Sequence, residues 1–123
     1  MQWLMLPGVR MSIKAIPRGL LPHTATYKQL TGVDGRGNKT YATSVSVAYV
    51  RFETAKKNAF TALGEQKNDR AVMFYDCVNS YPTGLEFAPV DVLTFDSQDY
   101  EVRESVPEWS VFGVPHHYEV ALV

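Results

Sequence analysis

A chain of 123 residues, 46% hydrophobic and 20% charged, is long enough for one folded domain with its own core and too apolar to stay disordered. The lone Cys77 leaves no intrachain disulfide to form, and no run approaches the ~20 apolar residues that span a bilayer as a helix. The formal net charge of −1 hides a division: residues 1–75 hold eleven Lys and Arg against four Asp and Glu, whereas residues 76–123 hold Arg103 alone against nine acids.

Met1–Leu6 is apolar but lacks the charged start and small-residue cleavage site of a secretory leader. Met11 opens a more ordinary stretch, so residues 1–10 keep three readings: an upstream translation start, a docking arm, or a strand covering a sheet edge. Pro7, Gly8, Pro17, Gly19 and Pro22 exclude a helix and a central strand. They predict an extended basic arm over residues 1–22, followed by a single β domain over 23–123.

His23 to Leu30 alternates weakly, Ala25 and Tyr27 against Thr24, Thr26 and Lys28. Gly32 to Asn38 is the strongest turn signal, with Asp34-Gly35 expected to take positive φ. One long strand is expected from Thr40 to about Glu53. Val45, Val47 and Tyr49 share a face and Val50 and Phe52 take the other, a change of parity that predicts a bulge near Tyr49-Val50. In Ala55 to Arg70, Ala55, Ala59, Phe60, Ala62 and Leu63 fall at helical offsets and Gly64 supplies a stop. The alternative is a long mobile loop, of a length uncommon inside a compact domain unless it has a function.

Ala71–Tyr75 reads as a short strand buried on both faces, and Tyr81–Gly84 as a turn. Val90–Phe95 and Tyr100–Val102 are expected to pair across a polar loop, Asp96–Asp99, with an irregular link from Pro107 to Pro115. The last strand, His117–Val123, puts Tyr118, Val120 and Leu122 on one face and Glu119 and Ala121 on the other. Six or so strands with one helical candidate give an all-β protein, a small barrel or sandwich with a long inter-strand loop or short helix at about 54–70.

Chemistry-bearing motifs are sparse. Gly32, Gly35 and Gly37 lie between strands, so turn geometry explains them and no phosphate cradle is expected. His23, His117 and Glu119 are of types that suit zinc or iron, yet no second pair stands at a matching spacing. Asp76 with Glu86, or Asp91 with Asp96, could act as an acid–base pair, but carboxylates at strand ends more often serve turns. The sequence predicts no catalysis and no cofactor. The divided charge allows two outcomes: neutralisation within one molecule, or two surfaces of opposite sign that dock head to tail and close into a ring. Candidates for such surfaces are Arg10, Lys14 and Arg18 against Glu101, Glu104 and Glu108. An isoelectric point near 6.3 argues against a dedicated nucleic-acid binder.

Several segments carry a family likeness: Ile16-Pro-Arg-Gly-Leu-Leu-Pro-His-Thr-Ala-Thr-Tyr27, Asp34–Asn38, Val50-Arg51, Leu63-Gly-Glu65, Phe74-Tyr-Asp76 with Asn79-Ser80, and Pro115–Val123. In their order and span the chain resembles a family of small tailed-phage and prophage proteins, the minor capsid proteins, related to the head-completion or stopper components of the head–tail connector. The resemblance implies a structural β-barrel or sandwich that assembles as a ring beneath the portal. Its partners would be portal or adaptor and tail proteins, and its place the head–tail junction of the virion after assembly in the host cytoplasm. Connector proteins of this kind narrow the DNA channel with an inter-strand loop. Carried over by topology, that loop is 54–70, with Lys56, Lys57, Phe60, Leu63, Gly64, Lys67 and Arg70 as gating candidates and transient, salt-dependent contact to packaged DNA. A tail or virion barrel of another kind, or a small metal-binding barrel enzyme, remains the alternative.

Overall fold

The structure, a computed structural model, describes residues 4–6, 9–11, 14–54 and 69–123. Its strands are β1 (Leu4–Leu6), β2 (Val9–Met11), β3 (His23–Lys28), β4 (Leu30–Val33), β5 (Lys39–Tyr41), β6 (Val45–Thr54), β7 (Ala71–Asp76), β8 (Val92–Phe95), β9 (Gln98–Trp109) and β10 (Pro115–Leu122). A 3-10 turn at Arg18–Leu20 precedes β3, and the described residues hold no α-helix. Six strands close into an antiparallel barrel in the cyclic order β10-β7-β6-β3-β8-β9, so the all-β expectation holds and the choice between barrel and sandwich falls to the barrel. β1 pairs with β2, and β4 with β5, in two separate ribbons.

The barrel is filled by the inward residues of every strand. Ala25 and Tyr27, Val47, Val50 and Phe52, Ala71, Met73 and Tyr75, Leu93, Tyr100 and Val102, and Val120 and Leu122 form one cluster. Phe87, from the connection between β7 and β8, closes it with its ring edge-on to Tyr27 and Tyr75, at 4.9 and 5.1 Å between centroids. Each fully buried aliphatic side chain here removes enough apolar surface from water to contribute about 1.5–3 kcal/mol. Val47, Val50 and Phe52 all point inward because the chain bulges between them. Tyr49 takes φ 55, and the register against β3 slips from Ala25↔Val47 to His23↔Val50. The bulge expected from parity is present where the sequence put it.

Four expectations are corrected. The strand from Thr40 to Glu53 is two strands. β5 belongs to the ribbon with β4, the Ala42 amide donates to the Gln29 carbonyl, and only from Val45 does the chain join the barrel. No Gly or Pro marks the break, since it comes from a change of sheet and not from a local turn. In the β4–β5 hairpin the positive φ falls on Gly37 (φ 83), not on Asp34-Gly35. The Asp34 carboxylate instead accepts from the Arg36 and Asn38 amides, at 2.8 and 2.9 Å, and fixes the turn from its side chain. The β8–β9 loop is a two-residue turn, Asp96-Ser97, with φ 52 and 62, whose twist suits a tight hairpin.

The fourth correction is the largest. β9 runs through Trp109, and β9 and β10 form a long hairpin that turns at residues 110–114 where an irregular link was expected. β9 changes partner midway: Gln98–Glu101 pair with β8, and Val102–Trp109 pair with β10. The register breaks between Leu122↔Val102 and Ala121↔Glu104, a bulge at Arg103 that turns the barrel corner. Past Val102 the second edge of β9 carries no strand among the described residues, so Pro107 costs the ladder no hydrogen bond.

Candidate functional site

Three carboxylates are buried among the described residues, Asp69 beside Arg103, Asp76 and Asp91, and the last two decide what kind of site the barrel can hold. Asp91 accepts from the Leu30 and Ala88 amides at 2.8 and 2.9 Å and from the Tyr27 hydroxyl at 2.5 Å, with the Glu86 carbonyl 2.9 Å from the same hydroxyl. Burial above all, and then this bond, raises the Tyr27 phenol above the ordinary tyrosine range. Asp76 accepts from the Val78 and Asn79 amides at 3.0 and 2.7 Å and from the Ile16 amide at 3.1 Å. Both acids are occupied by backbone amides, and neither meets the second carboxylate that an acid–base pair requires. The Cys77 thiol, half-buried, is pushed up by burial first and by the neighbouring Asp76 second, the reverse of what a reactive thiolate needs. His23 accepts the Phe52 amide on Nδ1, 2.9 Å away, while His117 lies 3.2 Å from Glu119 on β10, a strand with which β3 does not pair. Among the described residues no cluster of three His, Cys, Asp or Glu could hold a metal ion.

What the barrel does offer is surface. Residues 14–21 lie as a strap across the outer wall of β6 and β7. Asp76 holds the Ile16 amide, Asn79 donates to the Ile16 carbonyl at 2.7 Å, His116 Nε2 sits 2.5 Å from the Lys14 carbonyl, and Leu21 is fully buried. Arg51 reaches the Leu20 carbonyl at 3.4 Å, and the Arg18 guanidinium lies 4.7 Å above the Tyr49 ring. Lys14 and Arg18 are exposed, and strap, β6 and β7 enclose a recess of about 330 Å³ lined by Ile16, Leu20, Leu21, Arg51, Glu53 and Phe74.

The acids stand elsewhere. Glu104 and Glu108 are exposed on β9, in register with Ala121 and His117 of β10. In the cyclic strand order β9 lies three strands from β6 in either direction, so the acidic wall and the wall bearing Arg18 and Arg51 are on opposite sides of the barrel. Glu104 also faces Arg103 Nη1 at 3.3 Å, a pair within the acidic half. Glu101 pairs with Lys39 at 3.3 Å, one of two contacts among the described residues through which the charged halves of the sequence neutralise each other within one molecule. The other joins Arg103 to Asp69. Arg10 lies in β2.

The β6–β7 connection leaves the rim where Thr54 faces Ala71. Lys56, Lys57, Phe60, Leu63, Gly64 and Lys67, like the choice between helix and loop, lie outside the described residues. Arg70 lies at the foot of this connection, its guanidinium 4.5 Å above the Tyr100 ring and 2.8 Å from the Asp99 carbonyl. Sequence reasoning missed Arg51 as part of the basic wall and the exposed apolar tip of the β9–β10 hairpin. The first was hidden by strand order, which the sequence does not print. The second was signalled by Trp109 and Val111 but was read as part of a link.

A closed barrel whose buried polar groups are spent on turns and on a strap has the makings of an assembly module. A family model described as minor capsid protein matches residues 17–122, beginning one residue after the segment that carried the resemblance. The chain belongs to the minor capsid protein family and is a structural protein of the phage virion. No curated protein matches the chain, and neither does any solved structure. No helix among the described residues is long and apolar enough to cross a membrane.

Proposed function

We propose that the protein is a head-completion component of the head–tail connector, arranged as a homo-oligomeric ring between portal or adaptor and tail proteins. The observation that carries this reading is the placement of Arg18 and Arg51 on one wall of the barrel and of Glu104 and Glu108 on the opposite wall. Opposite walls of opposite sign suit a head-to-tail contact, the kind that propagates around an axis and closes if its rotation allows. In this arrangement residues 1–22 act as an arm and 23–123 as the single barrel domain. The 54–70 connection points to the common axis, where Lys56, Lys57, Lys67 and Arg70 meet passing DNA weakly. The protein assembles in the host cytoplasm and resides at the head–tail junction.

The test is a charge exchange made in the phage. A Glu104→Lys/Glu108→Lys variant is expected to yield heads that package DNA, lose it and acquire no tails. An Arg18→Glu/Arg51→Glu variant is expected to do the same, and the two together to restore some infectious particles. Particles that lack the protein yet retain their genome and carry tails would overturn the proposal.

A further inference from the structure

The tip of the β9–β10 hairpin presents apolar side chains to water: Val111 is 93% exposed and Trp109 64%, with Val106 and Val114 each at 39%. Nothing among the described residues covers them, and an exposed apolar cluster of this kind marks a contact surface. The hairpin is also acidic. From Glu104 to Pro115 it carries Glu108 and Glu104, the latter 3.3 Å from Arg103 Nη1, and no Lys or Arg.

Beside the hairpin, where β7 pairs with β10 and His116 meets the Lys14 carbonyl, the recess under the strap has the opposite character. Ile16, Leu20 and Phe74 form its apolar lining, and Leu20 remains 54% exposed. Arg51 at its edge is balanced by Glu53, 3.3 Å away, so Arg18 and Lys14 supply the excess positive charge.

We propose that the Trp109–Val114 tip of one copy of this chain seats in the Ile16/Leu20/Phe74 recess of the next, with Glu104 and Glu108 of the first meeting Arg18 and Lys14 of the second. The occupant is a second copy because donor and acceptor surfaces match in both polarity and charge. Each copy offers one tip and one recess, so in the ring the contact runs from copy to copy until it closes, whereas a reciprocal two-fold pair would stop at the dimer. The inference rests on the ring reading above and gives that ring its contact.

The experiment uses the full chain with Cys77→Ser. Leu20→Cys and Val111→Cys are made in separate proteins, mixed at high concentration and treated with a short bismaleimide. The mixture is expected to give a covalent dimer at least five-fold in excess of either protein alone, and a chain carrying both cysteines a ladder of multimers. The same ladder is expected from virions built with the doubly substituted chain. A Val33→Cys/Val111→Cys pair, on the exposed β4–β5 ribbon, is the reference. The proposal is overturned if the reference pair links equally well, if either single variant links to itself as readily as to its mate, or if no ladder forms in either solution or virions. A missing ladder in particles whose reconstruction still shows a ring at the head–tail junction removes this contact and leaves the ring. A ladder from a protein found elsewhere in the virion removes the connector reading and leaves the contact.

Discussion

Arg103 grips Asp69 with two hydrogen bonds, Nε to Oδ1 at 2.7 Å and Nη2 to Oδ2 at 2.8 Å. The one base of the acidic half thus meets an acid of the basic half, across the end of the C-terminal strand. The pair lies at the bulge where β9 turns the corner and at the foot of the β6–β7 connection, so it ties that connection to the barrel wall. The Asp69 side chain is only 3% exposed, and the bonds raise the Arg103 pKa further above its already high ordinary value.

Arg103→Ala is therefore expected to cost roughly 2–3 kcal/mol in denaturant unfolding, the range for hydrogen bonds to a charged, buried partner. Arg103→Lys should recover only part of this, because an ammonium cannot reproduce the two-point geometry. An unchanged unfolding midpoint in Arg103→Ala would show that the pair does not secure the foot of the connection.

Tyr27 gives the fold a limit at alkaline pH. Burial and the bond to Asp91 raise its phenol pKa, so the folded protein holds that proton more tightly than the unfolded chain does. The associated stability is complete below the ordinary tyrosine value of about 10 and is lost as pH rises through it toward the folded value. Tyr75, also raised by burial, acts in the same direction. Tyr27→Phe should lose roughly 1.5–3 kcal/mol at neutral pH by removing a donor from a buried carboxylate. It should also show a shallower decline above about pH 9 when melting temperature is followed against pH.

Asp76 holds the strap as well as its own turn. In Asp76→Ala the Ile16, Val78 and Asn79 amides lose their shared acceptor, with an expected cost of at least ~2 kcal/mol. Lys14 and Arg18 should become trypsin sites that are cut well before the barrel. Equal cleavage rates in variant and parent would mean that the strap is held by its apolar contacts alone.

Val90 takes φ 76, a left-handed conformation costly for a β-branched residue, while its amide donates to the Val102 carbonyl at 2.8 Å. Val90→Asn keeps that bond and relieves the backbone, so a gain of about 1 kcal/mol in stability is expected from thermal unfolding. A loss would show that the side chain's packing outweighs its strain.

Side-chain parity made the barrel legible. Val47, Val50 and Phe52 announced both a strand and its bulge, and Tyr118, Val120 and Leu122 announced the inward face of the last strand. Local chemistry also located the Asp34 and Tyr81 turns. What parity could not carry was partnership. Nothing in Ala42-Thr43-Ser44 says that the chain leaves one sheet for another. Pro107 read as the start of an irregular link because the sequence does not reveal that one edge of β9 stays open there. The candidate surfaces were legible as charge but not as geometry. Only strand order puts Arg51 opposite Glu104, and only the folded register shows that Glu101 already has a partner in Lys39.

A sheet closed on itself has almost nothing to offer a stray strand. Around the barrel each strand has neighbours on both sides, and among the described residues the one long open margin of the barrel, β9 beyond Val102, is interrupted by Pro107 and flanked by Glu104 and Glu108. A proline cannot donate there, and like charges repel a second copy laid alongside, the means by which soluble sheet proteins avoid clumping into insoluble stacks. Subunits can therefore wait at high concentration without templating one another, and their recognition falls to side chains, which can be reversible and selective where backbone pairing would be neither.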